Sequence, residues 1–93
     1  MDTKIIHNTE KNRFELPLDN QLVAIITYSR QDNYLVLNHS EVPNELKGKG
    51  IGKELVLKTF EQIEKEGLTA TATCSYIRAV AQRSAYWKNK INY

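Results

Sequence analysis

Three glycines at alternate positions, Gly48, Gly50 and Gly52, form the most distinctive segment of the sequence. Glycine has no side chain, so a ligand can approach its backbone closely. The residue pattern predicts an amphipathic helix directly after this segment, and the first N–H groups of a helix lack an internal acceptor. Those donors and the positive end of the helix dipole suit a pyrophosphate. The segment is therefore a candidate phosphate-binding loop.

Lysines alternate with these glycines and add positive charge without demanding a fixed binding geometry. A helix entry that is merely flexible, with solvated lysines, is the alternative interpretation, but so many glycines would lower helix stability. The sequence thus predicts a phosphate site made of Lys47, Gly48, Lys49, Gly50, Ile51, Gly52 and Lys53.

Two widespread phosphate-binding motifs do not fit these letters. A P-loop requires Gly-Lys-Ser/Thr, but Gly52-Lys53 is followed by Glu54, and Lys47 stands where the first glycine should be. A dinucleotide fingerprint requires G-x-G-x-x-G after the first strand of a parallel sheet. The spacing of the three glycines is wrong for that motif, so both classes are excluded.

The elements before the loop read as short strands joined by turns. Asp19-Asn20 and Asp32-Asn33 are turn pairs, which favour an antiparallel meander. The predicted strands are residues 4–7, 13–16, 22–28 and 34–38.

The elements after the loop predict a crossover between parallel strands. One arc of the predicted helix is apolar, and Gly67 should end it. Residues 68–74 alternate as in a strand, and a strand, helix and strand in succession form a right-handed crossover. A second helix is predicted from Ile77 to about Lys88. The expected fold class is α+β, a mostly antiparallel sheet with one parallel pair and two main helices.

Composition limits the remaining possibilities. A chain of 93 residues has room for one domain, expected over residues 1–93, and its 41% hydrophobic and 26% charged residues are typical of a soluble globular protein. The net charge of +2 does not indicate nucleic-acid binding, and no apolar run could cross a membrane. One cysteine and two histidines predict no metal site, and the absence of a secretory signal predicts a cytoplasmic protein.

The segment from Val42 to Leu55, Val42-Pro43-Asn44-Glu45-Leu46-Lys47-Gly48-Lys49-Gly50-Ile51-Gly52-Lys53-Glu54-Leu55, resembles the acetyl-CoA-binding motif of the GNAT superfamily of N-acetyltransferases. The core of that motif is Gln/Arg-x-x-Gly-x-Gly/Ala, and here Lys47, Gly50 and Gly52 stand at its defined positions.

Two further segments, His39-Ser40-Glu41-Val42 and Cys74-Ser75-Tyr76, resemble a small GNAT-like branch that lacks much of the usual N-terminal substrate-binding region. The resemblance covers residues 34–86. One departure is Arg83-Ser84-Ala85-Tyr86, where members of the branch often carry His/Asn-Pro-Glu-Tyr, so the tyrosine alone matches.

The resemblance implies a GNAT-like fold and an acetyl-CoA-dependent transfer of acetyl to an amine that the sequence does not identify. Acetyl-CoA would be a cosubstrate, and no metal is implied. The alternative is a non-catalytic acyl-CoA-binding module that acts through a protein partner. The first half of the chain leaves little material for an acceptor pocket, so a homodimer or a partner could complete it.

Four residues are candidates for the chemistry. His39 and Glu41 share one face of an extended segment, and either could take a proton from the amine. Cys74 precedes a predicted helix whose N-terminus favours a thiolate, so it could carry the acetyl group, or it could be a small buried hydrophobe beside direct attack by the amine. Tyr86 matches a tyrosine that donates to the CoA sulfur in many GNAT enzymes, and the alternative, which we favour, is that it only packs.

Overall fold

The computed structural model describes residues 4–93, and in this part of the chain one sheet of five strands lies in sequence order. Neighbouring strands are antiparallel except for β4 and β5, which are parallel and connected through helix α1. This arrangement confirms the predicted α+β fold. The elements are β1 (Ile6–Asn8), β2 (Arg13–Pro17), β3 (Val23–Gln31), β4 (Tyr34–Glu41), α1 (Ile51–Lys65), β5 (Thr69–Ala72) and α2 (Ser75–Gln82).

The core lies on one face of the sheet, because the buried side chains of β2, β3, β4 and β5 alternate onto that face. Both helices pack there, and each fully buried Leu or Phe contributes about 1.5–3 kcal/mol by leaving water. The opposite face carries half-buried residues such as Ile25 and Val36, and no element within residues 4–93 covers it. None of the helices in this range is long and apolar enough to cross a membrane. The buried core includes Phe14, Leu16, Ile26, Leu35, Leu37, Leu55, Val56, Phe60, Ile63 and Ile77.

Helix α1 ends where the sequence predicted. Gly67 adopts φ = +73°, the left-handed conformation that a glycine C-cap provides. The N–H of Gly67 donates to the carbonyl of Glu64 (3.1 Å), and the N–H of Leu68 donates to the carbonyl of Ile63 (3.0 Å). These two bonds satisfy carbonyl groups that the helix end would otherwise leave unpaired.

Strand β4 is longer than predicted and contains an irregularity. It continues to Glu41, whereas the sequence predicted an end at Asn38. His39 lies opposite Thr27 and Leu37 opposite Tyr28, so Asn38 is an extra residue without a partner on β3. This β-bulge shifts the alternation of side chains by one position, and the polarity pattern therefore hid the last residues of the strand.

The parallel pairing of β4 with β5 is short. It ends at Leu37 and Ala72, beyond which the Leu37 carbonyl accepts the N–H groups of both Thr73 (3.0 Å) and Cys74 (3.2 Å). The predicted strand of residues 68–74 is therefore reduced to Thr69–Ala72, because the chain turns away from β4 at this shared acceptor.

The prediction that the second helix reaches Lys88 is wrong. Helix α2 ends at Gln82, and the chain then turns back towards β5. This return buries Trp87 against Phe60, with ring centroids 5.4 Å apart, and buries Ile91 as well. The carbonyl of Asn92 accepts the N–H of Ala72 (2.8 Å), so the returning segment pairs with the edge of β5. The free energy gained by burying these two large apolar side chains exceeds the free energy that further turns of an exposed helix would contribute.

At the opposite edge of the sheet, the side chain of His7 connects β1 to α1 and β3. Nδ1–H of His7 on β1 donates to the carboxylate of Glu66 at the end of α1 (2.9 Å), and the hydroxyl of Tyr28 donates to Nε2 (2.6 Å). The imidazole also stacks on Phe14, with centroids 4.2 Å apart.

The prediction that β1 begins at Lys4 is wrong: β1 starts at Ile6. The register would place Lys4 opposite Pro17, which has no N–H.

Thr59 of α1 generates a test of core packing. Its hydroxyl is fully buried and has no hydrogen-bond partner within residues 4–93. Thr59→Val should therefore raise the free energy of unfolding by about 1 kcal/mol, because an unpaired buried hydroxyl is removed while helix propensity hardly changes. Chemical denaturation measures this change, with Thr9→Val at an exposed turn as the control. A destabilised Thr59→Val would mean that the hydroxyl has an internal partner such as a bound water.

Candidate active site

A cavity of about 700 Å³ opens where β4 and β5 separate. One wall is the end of β4 with His39, Ser40 and Glu41, and another is the glycine loop with the first turn of α1. Tyr76 from α2 lines the side between them. The cavity therefore adjoins the glycine loop and the point where β4 and β5 separate.

The three glycines of the loop meet different requirements. Gly48 (φ = +84°) and Gly50 (φ = +78°) adopt the left-handed conformation, and Gly50 is the N-cap of α1. Gly52 has ordinary helical geometry, but a Cβ atom there would lie 2.9 Å from the hydroxyl oxygen of Tyr76. Two glycines are thus needed for backbone conformation, and the third leaves room for an aromatic side chain.

The first turn of α1 presents backbone donors to the cavity. The first helical hydrogen bond runs from the N–H of Glu54 to the carbonyl of Gly50 (3.1 Å), so the N–H groups of residues 51–53 lack an intrahelical acceptor. Of the seven predicted loop residues, five line the cavity, whereas Lys49 and Lys53 are exposed and lie outside its walls. The five loop residues that line the cavity are Lys47, Gly48, Gly50, Ile51 and Gly52.

His39 and Glu41 lie together, as their spacing predicted. Nε2 of His39 is 3.5 Å from a carboxylate oxygen of Glu41, and the two side chains are 58% and 65% exposed. They project from the uncovered face of the sheet, whereas Ser40 between them points to the helix side. All three residues line the cavity. Within residues 4–93 no group of three or more His, Cys, Asp or Glu side chains could hold a metal ion.

Cys74 is the N-cap of α2 and lies just behind the cavity wall. Its Sγ is 3.6 Å from the hydroxyl of Ser40, which does line the cavity, whereas Cys74 itself does not. Partial burial raises the pKa of the Cys74 thiol, but the N–H of Ile77, the Ser40 hydroxyl and the N–H of Tyr76 favour the thiolate. These donors outweigh burial, and the pKa lies below its usual value. The thiol is thus poised for deprotonation next to the cavity.

Sequence reasoning missed two residues of this site, Ser40 and Tyr76. Ser40 turns towards Cys74 because the bulge at Asn38 resets the alternation of β4, and no sequence pattern marked that bulge. Tyr76 belongs to the recognised Cys74-Ser75-Tyr76 segment, but only the fold brings it against Gly52.

Tyr86 is not part of the cavity wall. Its side chain is 53% exposed, and its hydroxyl donates to both carboxylate oxygens of Glu64 (3.0 and 2.9 Å). Lys90 donates to the same carboxylate (3.0 Å) and lies over the Tyr86 ring. These contacts support the interpretation that Tyr86 packs. They connect the returning segment to α1 through Glu64.

The fold and this site define a class of protein. Residues 13–90 match the family described as GCN5-related N-acetyl-transferase, and the chain belongs to that family. The resemblance recognised in the glycine loop is thereby confirmed.

Individual relatives agree with this assignment. Protein NATD1 of mouse is 30% identical to the chain over 77 residues, covering 81% of this chain and 70% of the mouse protein. Human Protein NATD1 is also 30% identical over 77 residues, covering 81% of this chain and 68% of the human protein. Among solved structures, a GCN5-like protein from Staphylococcus aureus is similar with a TM-score of 0.67 and 27% identity, covering 98% of this chain and 90% of that one.

The contact between Ser40 and Cys74 can be tested by thiol reactivity. Removing the hydroxyl in Ser40→Ala should raise the pKa of Cys74, because a donor to the thiolate is lost. At a pH below the pKa, alkylation by iodoacetamide should slow by about 2- to 10-fold, the value of one hydrogen bond. Cys74 is the sole cysteine of the sequence, so the rate reports on this thiol alone.

Ser84→Ala is the control for this experiment, since Ser84 caps a distant turn through the N–H of Trp87. Its alkylation profile against pH should match that of the unmodified protein. An unchanged profile in Ser40→Ala would show that the hydroxyl does not stabilise the thiolate.

Proposed function

We propose that this domain transfers acetyl from acetyl-CoA to an amine, acting as a single minimal unit over residues 1–93. The observation that carries the proposal is that one cavity is lined by the glycine loop, by the end of β4 and by groups able to accept a proton. The family to which the chain belongs supports acyl transfer from a CoA thioester.

The donor would lie on the helix side of the sheet. Its pyrophosphate would accept hydrogen bonds from the N–H groups of residues 51–53, with Lys47 contributing charge from the cavity wall. Lys49 and Lys53 would act at longer range, since they are exposed nearby. The acyl arm would then follow the gap between β4 and β5 towards Ser40 and Cys74.

The transfer can proceed through Cys74. In the first step the thiolate sulfur attacks the thioester carbonyl, the bond to the CoA sulfur breaks, and the CoA thiolate takes up a proton. In the second step a neutral amine attacks the acetyl-cysteine thioester and releases the Cys74 thiolate, and the amine gives its proton to Glu41 or His39. The lowered pKa of Cys74 and its contact with Ser40 support this route.

The amine would approach from the uncovered face of the sheet, because His39 and Glu41 project there. Direct attack of the amine on the CoA thioester uses the same two proton acceptors and leaves Cys74 as part of the cavity surroundings. In that route Cys74 needs no opening into the cavity, and its position behind the wall is compatible with it.

A second function, a non-catalytic acyl-CoA-binding module, is favoured by the same uncovered face. No element within residues 4–93 encloses the acceptor side of the cavity, so a protein partner or a second copy could bind there. Tight binding of acetyl-CoA without acetyl transfer to any amine in a broad panel would support the module.

Glycine substitutions test where the donor binds. Gly50→Val places a branched side chain at the cavity wall and should abolish CoA binding, whereas Gly67→Val at the far end of α1 should leave binding intact. Both residues have positive φ, and a Cβ atom at either would meet no other atom within 4 Å, so the backbone strain of the two variants is matched. Titration calorimetry with CoA measures the difference. Equal affinity of the two variants would refute the placement.

Mass spectrometry tests the route through Cys74. Incubation with acetyl-CoA should add one acetyl group to Cys74, and addition of an acceptor amine should remove it. Cys74→Ala should bind CoA normally but lose about 100-fold or more in transferase rate, as expected when a nucleophile is removed. If Cys74→Ala retains full activity and no adduct forms, direct transfer to the amine is the correct mechanism.

A further inference from the structure

Tyr76 connects two parts of the cavity that are distant in sequence. It lies in the first turn of α2, two residues after Cys74, and its ring crosses to the first turn of α1. A Cβ atom added to Gly52 would lie 2.9 Å from the Tyr76 hydroxyl and 3.2 Å from two ring carbons. The ring therefore packs directly against the backbone of the phosphate loop.

The hydroxyl of Tyr76 is available for a ligand. The side chain is 45% exposed and lines the cavity, and within residues 4–93 its hydroxyl has no hydrogen-bond partner. Its position beside Gly52 places it next to backbone N–H groups that precede the first helical hydrogen bond. The Tyr76 hydroxyl is therefore an additional donor beside the unpaired N–H groups of the first turn of α1.

We infer that Tyr76 is a binding residue that donates a hydrogen bond from its hydroxyl to the pyrophosphate of the CoA thioester. This inference rests on the proposed function, since it assigns a further contact to the same donor. The ring already contacts the loop, so the hydroxyl needs little rearrangement to reach a phosphate held by the first turn of α1.

The same contact explains why glycine occupies position 52. Gly52 has no need of a positive φ, so alanine would fit its backbone conformation but would push the Tyr76 ring away. The small residue at this position thus keeps the hydroxyl within reach of the ligand. Tyr76 also places its own N–H near the Cys74 thiolate, so donor binding and thiol position depend on one residue.

Tyr76→Phe tests the inference, because it removes the oxygen and keeps the ring against Gly52. Calorimetry should show CoA affinity reduced by about 10-fold or more, the value of a hydrogen bond to a charged group. Dephospho-CoA, which keeps the pyrophosphate, should lose affinity by the same factor. Pantetheine, which has no phosphate, should bind both proteins equally in an NMR titration.

Tyr93→Phe is the matched control, because Tyr93 is also 45% exposed but its hydroxyl donates to the carbonyl of Lys88 away from the cavity. It should bind CoA like the unmodified protein. Unchanged CoA affinity in Tyr76→Phe would overturn the inference, as would an equal loss for pantetheine or a loss confined to CoA with its 3′-phosphate. If the unmodified protein failed to bind CoA, the proposed function itself would be wrong. If it bound CoA and Gly50→Val abolished binding, failure of the Tyr76 test would concern the tyrosine alone.

Discussion

The carbonyl oxygen of Leu37 accepts the N–H groups of Thr73 and Cys74, and the parallel ladder between β4 and β5 stops at that point. A ladder that continued would close the sheet and leave no space beside Ser40. Because it stops, β4 continues alone along β3 while the other strand turns into α2. The cavity and the position of Cys74 at a helix N-terminus both follow from this separation.

The arrangement places the candidate groups on the two faces of the sheet. The helix side holds the glycine loop, Ser40 and Cys74, whereas His39 and Glu41 stand on the uncovered side. In the proposed transfer, donor and acceptor would therefore approach from opposite faces of the sheet and would not compete for the same surface.

Much of the architecture could be predicted because local patterns determine it. The apolar arc of α1, its glycine stop at Gly67 and the crossover to a parallel strand all depend on residues close in sequence. The extent of β4 could not be predicted, since a bulge at Asn38 shifts the alternation on which strand prediction depends. The end of α2 was missed because Trp87 and Ile91 are buried through contacts with distant elements. In the candidate site, the position of the glycine loop before α1 and the proximity of His39 to Glu41 could be predicted, because both depend on residues close in sequence. The contact of Tyr76 with Gly52 could not, because it joins residues that only the fold brings together.

The order of strands in the sheet has a consequence for how the domain folds. Three of the four pairings described join strands that are separated by a short turn or loop, and these can form by local closure. The pairing of β4 with β5 spans the whole of α1, so it carries the largest loop-closure entropy in the sheet. It also contains just four residue pairs, from Tyr34 and Thr69 to Leu37 and Ala72. The cavity thus adjoins the pairing that closes last in the sheet, and a ligand held there favours the closed crossover by mass action.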